Sequence, residues 1–316
     1  MAIAASQPEV EIAIERSIDR GRNAADKGAV ELCAPGWEDY ELIDSGHELR
    51  LERIGPVVIS RQSAQAIWPP ALPESEWKAL LHASHYRPDQ GAGDWTMHRS
   101  VPDAWEIGLG RLRLEVRLTQ FGHIGFFPEN QVQWPWIEER CRERPGAEVL
   151  NLFAYTGGAS LAAACGGARV THVDAAKGVV TWGRENAARS GLGEAPVRWI
   201  VDDVLKFMYR EQRRGRRFDA IVLDPPTFGR GPQGSVWKIE RDLTELLALC
   251  AAMLTDEPLF LLLTAHTPGV TAAVLRNLLK PIEERFGGTL VAGDMVQSSH
   301  RSPCLLPAGV YCRWVR

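Results

Sequence analysis

The strongest hydrophobic pattern in the chain lies at residues 146–160 and predicts a buried strand, a glycine turn and a helix. The apolar run covers both faces of the strand, as expected of a parallel strand with helices on each side. Its members are Val149, Leu150, Leu152 and Phe153. Gly157 and Gly158 end the run, and the small residues at 159–165 predict the helix. This order predicts the start of a βαβ unit.

Three further apolar segments follow, and acidic residues stand where each one ends. The segments are 171–174 with Asp174, 196–201 before Asp202 and Asp203, and 218–223 before Asp224. The carboxyl ends of parallel strands meet at one edge of a sheet, and open α/β sheets bind their ligands there. The pattern therefore predicts a doubly wound, mostly parallel α/β domain with a binding site at this edge.

A different pattern covers residues 33–122, where short alternating segments are separated by Gly, Pro and Asp. It predicts a small β-rich α+β domain, with a helix over 74–84, ahead of a main domain over 123–316. Residues 1–32 lack a long apolar run and predict a poorly ordered tail. For the tryptophans of this part, core packing is favoured over base stacking. They are Trp37, Trp68, Trp77, Trp95 and Trp105.

Net charge and cysteine spacing limit which nucleic-acid, metal and membrane partners are expected. A net charge of −4 gives no overall attraction to phosphate, so a nucleic-acid surface would be a local patch. The densest basic run, at 210–217, is typical of a solvated loop. The six cysteines show no metal-ligand spacing, so we expect reduced thiols and no metal. Without a secretory or membrane-spanning run, we expect a cytoplasmic chain with no membrane partner.

The glycine turn limits the ligand that the main domain binds. It has Gly157-Gly158 and not Gly-x-Gly-x-x-Gly, so a pyrophosphate is not the first choice. Free N–H groups at the start of the following helix suit a carboxylate or another anionic group. Asp174 is suited to accept hydrogen bonds from ribose hydroxyls, and a helix N-cap is the structural alternative.

Five segments in this order resemble the class I S-adenosylmethionine-dependent methyltransferases, and in particular the branch with the bacterial large-subunit ribosomal RNA methyltransferases. They are Asn-Leu-Phe-Ala-Tyr-Thr-Gly-Gly (151–158), Val-Asp-Ala-Ala-Lys (173–177), Val-Asp-Asp-Val-Leu-Lys-Phe (201–207), Leu-Asp-Pro-Pro-Thr-Phe-Gly-Arg-Gly (223–231) and Val-Trp-Lys-Ile-Glu (236–240). The resemblance covers about residues 120–316. It implies a seven-stranded Rossmann-like sheet closed by an antiparallel strand pair at 289–295 and 310–315. It also implies S-adenosylmethionine as the cofactor.

The resemblance assigns a set of cofactor contacts, including Asp174 to the ribose and Asp203 to the adenine amino group. Asp202 is either a neighbour in the site or a helix cap. The segment at 121–130 resembles one that lies over the cofactor, with an interdomain linker as the alternative. The full set is Phe127, Glu129, Asn130, Asn151, Phe153, Tyr155, Thr156, Gly157, Gly158, Asp174, Ala175, Asp202, Asp203 and Asp224.

Residues 224–228, Asp-Pro-Pro-Thr-Phe, carry the predicted catalytic group: Asp224, Pro225, Pro226 and Phe228. Two prolines fix the backbone, so nearby carbonyls become fixed acceptors for a planar amino group. Phe228 is expected to stack on that plane, as in enzymes that read a flipped base. A rigid turn that merely ends the strand is the alternative.

The absence of a well-placed thiol favours a nitrogen acceptor over carbon. Methylation at carbon-5 of a pyrimidine requires a cysteine nucleophile, yet Thr227 follows the fourth strand and His266 the fifth. Cys304 reads as an ordinary loop cysteine. His266 is either a general base or a hydrogen-bonded loop residue, and the resemblance suggests a substrate-side role for Trp237 and Lys238.

The sequence thus predicts an enzyme that methylates a base of structured RNA, ribosomal RNA in particular. Methylation of a small molecule or a protein side chain is a second hypothesis, because the fold does not determine the substrate. A third hypothesis is a non-catalytic S-adenosylmethionine-binding module. The intact residues 224–228 disfavour it, since a pure binder needs no acceptor clamp.

Overall fold

The computed structural model describes residues 31–33, 37–87, 93–231 and 234–316. Among these residues, the largest sheet has eight strands in the order β1-β16-β17-β15-β12-β9-β10-β11. These strands are β1 (Leu32–Cys33), β9 (Glu148–Leu152), β10 (Arg169–Asp174), β11 (Val197–Val201), β12 (Ala220–Leu223), β15 (Phe260–Ala265), β16 (Thr289–Gln297) and β17 (Leu306–Val315). All neighbours pair in parallel except β17, which is antiparallel to β15 and β16.

Helices cover both faces of this sheet, because successive residues of its strands point in opposite directions. Leu150 and Leu152 pack with α5, α6 and α7, whereas Val149 packs with α2, α3 and α4. The helices are α1 (Glu74–Leu80), α2 (Trp134–Arg142), α3 (Gly158–Cys165), α4 (Lys177–Arg189), α5 (Val204–Arg213), α6 (Ile239–Met253) and α7 (Ala272–Phe286). A 3₁₀ segment spans Pro128–Gln133. The predicted doubly wound, mostly parallel α/β class is confirmed.

The main sheet has one strand more than the seven expected, within the part of the chain that the structure describes. The additional strand is β1, in which Leu32 pairs with Met295 of β16. An edge strand such as β16 exposes unpaired backbone groups, and β1 satisfies part of them. Residues 1–30, most of the predicted tail, lie outside the described residues.

The N-terminal part contains the expected short strands. A five-stranded sheet, β2-β3-β4-β5-β6, stands beside a hairpin, β7-β8. The strands are β2 (Tyr40–Gly46), β3 (Leu49–Ile54), β4 (Val57–Gln62), β5 (Ala83–Tyr86), β6 (Asp94–Met97), β7 (Trp105–Leu109) and β8 (Leu112–Val116). The helix expected over 74–84 is shorter, because the backbone becomes extended at Leu81 and buried Ala83 pairs with Ile59 of β4.

The five tryptophans of this part support the packing interpretation. Each indole N–H donates a hydrogen bond inside the protein: Trp37 to Gly108, Trp68 to Ser45, Trp77 to Asp44, Trp95 to Thr119 and Trp105 to Ile54. Trp37 also belongs to a buried cluster that includes Val149 and Leu161 of the main sheet and its helix α3. The N-terminal part and the main sheet therefore share one hydrophobic core. The predicted domain boundaries stay a prediction.

Candidate functional site

A cavity of about 680 Å³ lies at the carboxyl edge of the main sheet, within the ~300–1,000 Å³ range of small-molecule sites. Nine predicted site residues line it: Phe127, Phe153, Tyr155, Asp174, Ala175, Asp203, Asp224, Pro225 and Pro226. A smaller cavity of about 50 Å³ shares four of these residues and adds Asn130, Asn151, Thr156, Gly157 and Gly158. Glu129, Asp202 and Phe228 line neither cavity.

The turn after β9 is held in an unusual backbone conformation. Phe153 and Tyr155 have φ values of 55° and 49°, the left-handed region that non-glycine residues rarely adopt. Each such residue costs on the order of 1–3 kcal/mol, and such strain clusters at functional sites. Two hydrogen bonds from the turn to β10 hold this strained backbone in place. Ala154 N donates to Val173 O at 3.0 Å, and Tyr155 N donates to the carboxylate of Asp174 at 3.0 Å.

Glycines in this turn leave the start of α3 open. Gly157 has φ 95° and provides no side-chain cap, so the first amides of the helix lack a side-chain partner. A Cβ atom on Gly158 would lie 2.3 Å from the ring of Trp134, so only glycine fits beneath that ring. These amides border the smaller cavity, where the helix dipole favours an anionic group.

Asp174 at the end of β10 is held by backbone groups alone. Its carboxylate accepts hydrogen bonds from Tyr155 N at 3.0 Å and Ala176 N at 2.9 Å. Burial raises the pKa of this carboxyl, and the backbone hydrogen bonds oppose that rise. Helix α4 begins after Ala176 without a side-chain cap, so Asp174 is not its N-cap residue.

Asp202 and Asp203 are adjacent in sequence but have different surroundings. Asp203 lines the large cavity, caps α5 through Lys206 N at 3.0 Å, and accepts a hydrogen bond from Ser235 Oγ at 2.5 Å. Asp202 forms an ion pair with Arg210 at 2.6 Å outside the cavity lining. The helix cap considered for Asp202 is therefore provided by Asp203 instead, and Asp202 lies beside the site in an ion pair.

Asp224 is the centre of a side-chain cluster. One carboxylate oxygen accepts a hydrogen bond from Thr264 Oγ1 at 2.6 Å, and the other accepts one from Asn130 Nδ2 at 2.7 Å. His266 Nε2 lies 3.2 Å from Oδ1 of Asp224 in an ion pair. Burial would raise the pKa of Asp224, but charged His266 and the hydrogen bonds lower it.

His266 is held between two acceptors. Its Nδ1 lies 2.8 Å from the carbonyl oxygen of Ala308 and 3.7 Å from the carboxylate of Glu129. Burial favours the neutral ring, but the nearby Asp224 carboxylate outweighs it and raises the pKa of His266 to about 9. The hydrogen bond to Ala308 fits the alternative of a hydrogen-bonded loop residue, and the role of general base stays a prediction.

The loop at 224–228 leads into a hairpin, β13 (Phe228–Arg230) with β14 (Val236–Lys238). The carbonyl of Pro226 accepts a hydrogen bond from Trp237 Nε1 at 2.7 Å, which anchors the loop. Trp237 lines the large cavity and packs against Phe153, with ring centroids 4.8 Å apart. Phe228 is 50 % exposed on the hairpin and does not line the large cavity. Its predicted stacking on the acceptor base stays a prediction.

The residues that the structure describes include no cysteine in the lining of either cavity. They also contain no group of three His, Cys, Asp or Glu side chains arranged to hold a metal ion. No helix within the described ranges has the length and apolar character needed to cross a bilayer.

A family model for S-adenosylmethionine-dependent methyltransferases matches residues 20–260 of the chain. The chain belongs to this family. The crystal structure of the SAM-dependent methyltransferase from Agrobacterium tumefaciens is 37 % identical in sequence and superposes with a TM-score of 0.86. That match covers 90 % of this chain and 93 % of the other.

Two further comparisons extend the picture of this methyltransferase. Ribosomal RNA large subunit methyltransferase K/L from Cellvibrio japonicus (strain Ueda107) is 33 % identical over 161 residues, which is 50 % of this chain and 21 % of that protein. The chain thus matches about a fifth of the length of such curated relatives. SMU.776, a candidate methyltransferase crystallised with SAH, shares the fold at 19 % identity and a TM-score of 0.64, over 85 % of this chain and 72 % of that one.

Proposed function

We propose that this methyltransferase transfers the methyl group of S-adenosylmethionine to a nitrogen atom of a base in structured RNA, ribosomal RNA in particular. The proposal rests mainly on the Asp224 cluster at the large cavity beside a hairpin that exposes Phe228. An exposed aromatic ring next to a cofactor-sized cavity suits an acceptor that arrives on a macromolecule. The similarity to ribosomal RNA methyltransferases over half of the chain supports the same substrate class.

The donor groups around the two cavities fit S-adenosylmethionine. Asn130 Oδ1 is buried without a hydrogen-bond partner among the described residues, as expected of an acceptor for the ammonium group. The uncapped amides of α3 suit the carboxylate of the same moiety. Asp174 and Asp203 would hold the ribose and the adenine amino group, because carboxylate oxygens keep further lone pairs. When bound, the sulfonium supplies an electrophilic methyl group.

The chain itself would contribute orientation more than covalent chemistry. Asp224 stays ionised because its pKa is lowered, and Pro225 and Pro226 limit movement of the loop that follows. An amino group of the base would donate hydrogen bonds to acceptors of this loop, which orients its nitrogen toward the methyl group. Holding the two reacting atoms in line accounts for a large part of the rate in such reactions.

The lining of the cavities favours nitrogen over carbon as the acceptor. Carbon-5 methylation needs a thiolate in contact with the base, and no cysteine among the described residues lines either cavity. Cys304 follows the β16 strand in a loop and contacts Ser302 through its backbone. The cytoplasmic location expected from the sequence stays a prediction.

Transfer of labelled methyl from S-adenosylmethionine to total RNA from cells that lack this protein tests the proposal. We expect label in RNA with the wild-type enzyme and a loss of label with Asp224→Ala and Phe228→Ala. Nucleoside analysis of the product should identify a methylated nitrogen. Cofactor binding by Phe228→Ala should equal that of the wild type, because its ring lies outside the cavity lining.

Other outcomes separate the remaining hypotheses. A protein that binds the cofactor but labels metabolites or proteins instead of RNA would exclude the RNA substrate. Cofactor binding with no transfer to any fraction would indicate a non-catalytic module. Label at carbon-5 of a pyrimidine would contradict the nitrogen acceptor and direct attention to Cys304.

A further inference from the structure

A further cavity, of about 250 Å³, lies between the N-terminal sheet and the large cavity. It shares His123, Phe127 and His266 with the large cavity, so the two spaces adjoin. We propose that this basic pocket binds a phosphate group of the RNA backbone next to the acceptor base. The proposal deepens the function proposed above and rests on it.

Two arginines in the lining face each other across neighbouring strands. Arg50 of β3 pairs directly with Arg61 of β4, an arrangement in which like charges repel. Arg61 is 5 % exposed and donates two hydrogen bonds to the fully buried carboxylate of Glu52, both at 2.8 Å. Glu52 thereby accepts hydrogen bonds from only one of the two guanidinium groups, and Arg50 keeps a longer ion pair with it at 3.3 Å.

Arg50 interacts more weakly with Glu52 than Arg61 does. Its Nε lies 3.3 Å from Glu52, yet this buried atom has no hydrogen-bond partner among the described residues. A buried donor that is left unsatisfied destabilises the protein, more so when it is charged. The part of the Arg50 side chain that remains accessible, 15 %, faces no other hydrogen-bond partner among the described residues, and guanidinium and phosphate groups match in geometry.

A third arginine and the local charge balance support the same ligand. Arg87 is exposed at the rim of the pocket, and among the described residues only its backbone N–H is engaged, by Gln62 at 2.9 Å. Three arginines thus meet two carboxylates, Glu52 and Glu129, around the pocket. Burial, followed by the charges of Arg61, Arg87 and Arg50, lowers the pKa of His123 to about 4. The surroundings of the pocket are therefore positive despite the net charge of the chain.

Arg50→Gln and Arg87→Ala test the pocket, with Arg213→Ala as the matched control. Arg61 is left unchanged because its bonds to Glu52 hold β3 and β4 together. Arg213 is an exposed arginine at the end of α5, which runs away from the cavity edge of the sheet. Thermal unfolding and cofactor binding of each variant confirm that it is folded.

We expect the KM for RNA to rise about 10-fold in each pocket variant, with kcat and cofactor affinity within twofold of the wild type. The slope of log affinity for RNA against log salt concentration should fall by about 1 for each arginine removed. Arg213→Ala should change neither quantity. RNA methylation that is equally efficient in all three variants would overturn the pocket and leave the proposed function intact.

Two further outcomes are distinguishable from these. If the wild-type enzyme does not methylate RNA at all, the proposed function fails, and the assignment of the pocket to an RNA phosphate fails with it. Inorganic phosphate at constant ionic strength separates the two sources of the anion. Tight binding of inorganic phosphate that Arg50→Gln removes, without a change in the KM for RNA, would assign the pocket to the free anion and overturn the proposal.

Discussion

Asp174 and Asp224 stand on two sides of one cavity, and the protein holds them in opposite ways. Asp174 accepts hydrogen bonds from backbone amides of Tyr155 and Ala176, and burial raises its pKa. Asp224 is bound by the side chains of Asn130, Thr264 and His266, which lower its pKa. Backbone amides thus hold the carboxylate on one side of the cavity, and side chains hold the carboxylate on the other. This difference fits the two proposed roles, in which Asp174 holds the cofactor and Asp224 helps to orient the acceptor base.

Asp224→Asn should have the largest effect because it removes the charge around which three side chains converge. We expect kcat to fall about 100- to 1,000-fold, as when an orienting group is lost. The pKa of His266 should fall toward its ordinary value, which NMR of the histidine ring can measure. Unchanged kcat together with an unchanged His266 pKa would contradict the role given to this cluster.

The ion pair between His266 and Asp224 should make stability depend on pH. The pKa of His266 is raised from 6.5 to about 9, so its contribution is fully present below pH 6.5 and disappears as the pH rises through about 9. Such a shift corresponds to roughly 3 kcal/mol of unfolding free energy. At the acid end, the contribution of Asp224 is present above its ordinary pKa and is lost as the pH falls through its lowered value.

Denaturant unfolding between pH 6 and pH 10 measures this dependence. His266→Gln should remove the loss of stability on the alkaline side. His300→Gln, which changes an exposed histidine, should retain it. A wild-type curve that stays flat through pH 9 would exclude a charged His266 in the folded state.

Asp174→Asn should weaken the other side of the site by a smaller amount. The amide oxygen of asparagine still accepts one backbone hydrogen bond. The other backbone donor, Tyr155 N or Ala176 N, then faces the NH2 group, which cannot accept it. We expect the Kd for the cofactor to rise about 10-fold, since a hydrogen bond to a charged group contributes ~1.5–3 kcal/mol. Calorimetric titration with S-adenosylmethionine measures this, and an increase confined to the KM for RNA would contradict the assignment.

The adjacent pair Asp202 and Asp203 gives the smallest and most specific contrast. Asp203→Ala removes a helix cap, which costs about 1 kcal/mol, and a group that lines the cavity. Asp202→Ala removes only a partly exposed ion pair, typically worth about 0–1 kcal/mol. Cofactor affinity should therefore fall in the first variant and stay unchanged in the second. The reverse result would exchange their roles.

The two sides of the site also differ in how far the sequence predicts them. Asp174 and its turn were predictable because β9, the turn, α3 and β10 follow one another within about 27 residues, and backbone amides are present whatever the side chains. The cluster around Asp224 was not, since Asn130 comes from the 3₁₀ segment while Thr264 and His266 lie at and just after the end of β15, both segments far from Asp224 in the sequence. Thr264 could have been found from its place at the end of β15, the parallel neighbour of β12.

Other parts of the fold were also predictable only where neighbouring residues in the sequence form the contact. The runs of apolar residues predicted the main strands, because burial on both faces leaves a local pattern. The pairing of β1 with β16 left no such pattern, since two residues at an edge carry no periodicity. The outward position of Phe228 depends on the pairing of β13 with β14, which the alternating pattern alone did not indicate.

The position of β1 has a consequence for the synthesis of the chain. Leu32 pairs with Met295, about 260 residues later in the sequence. At a synthesis rate of ~5–20 residues per second, the ribosome needs roughly 10–50 s to make the intervening chain. Throughout that interval the strand made first has no partner, so β1 can join the sheet only after nearly the whole chain has been made.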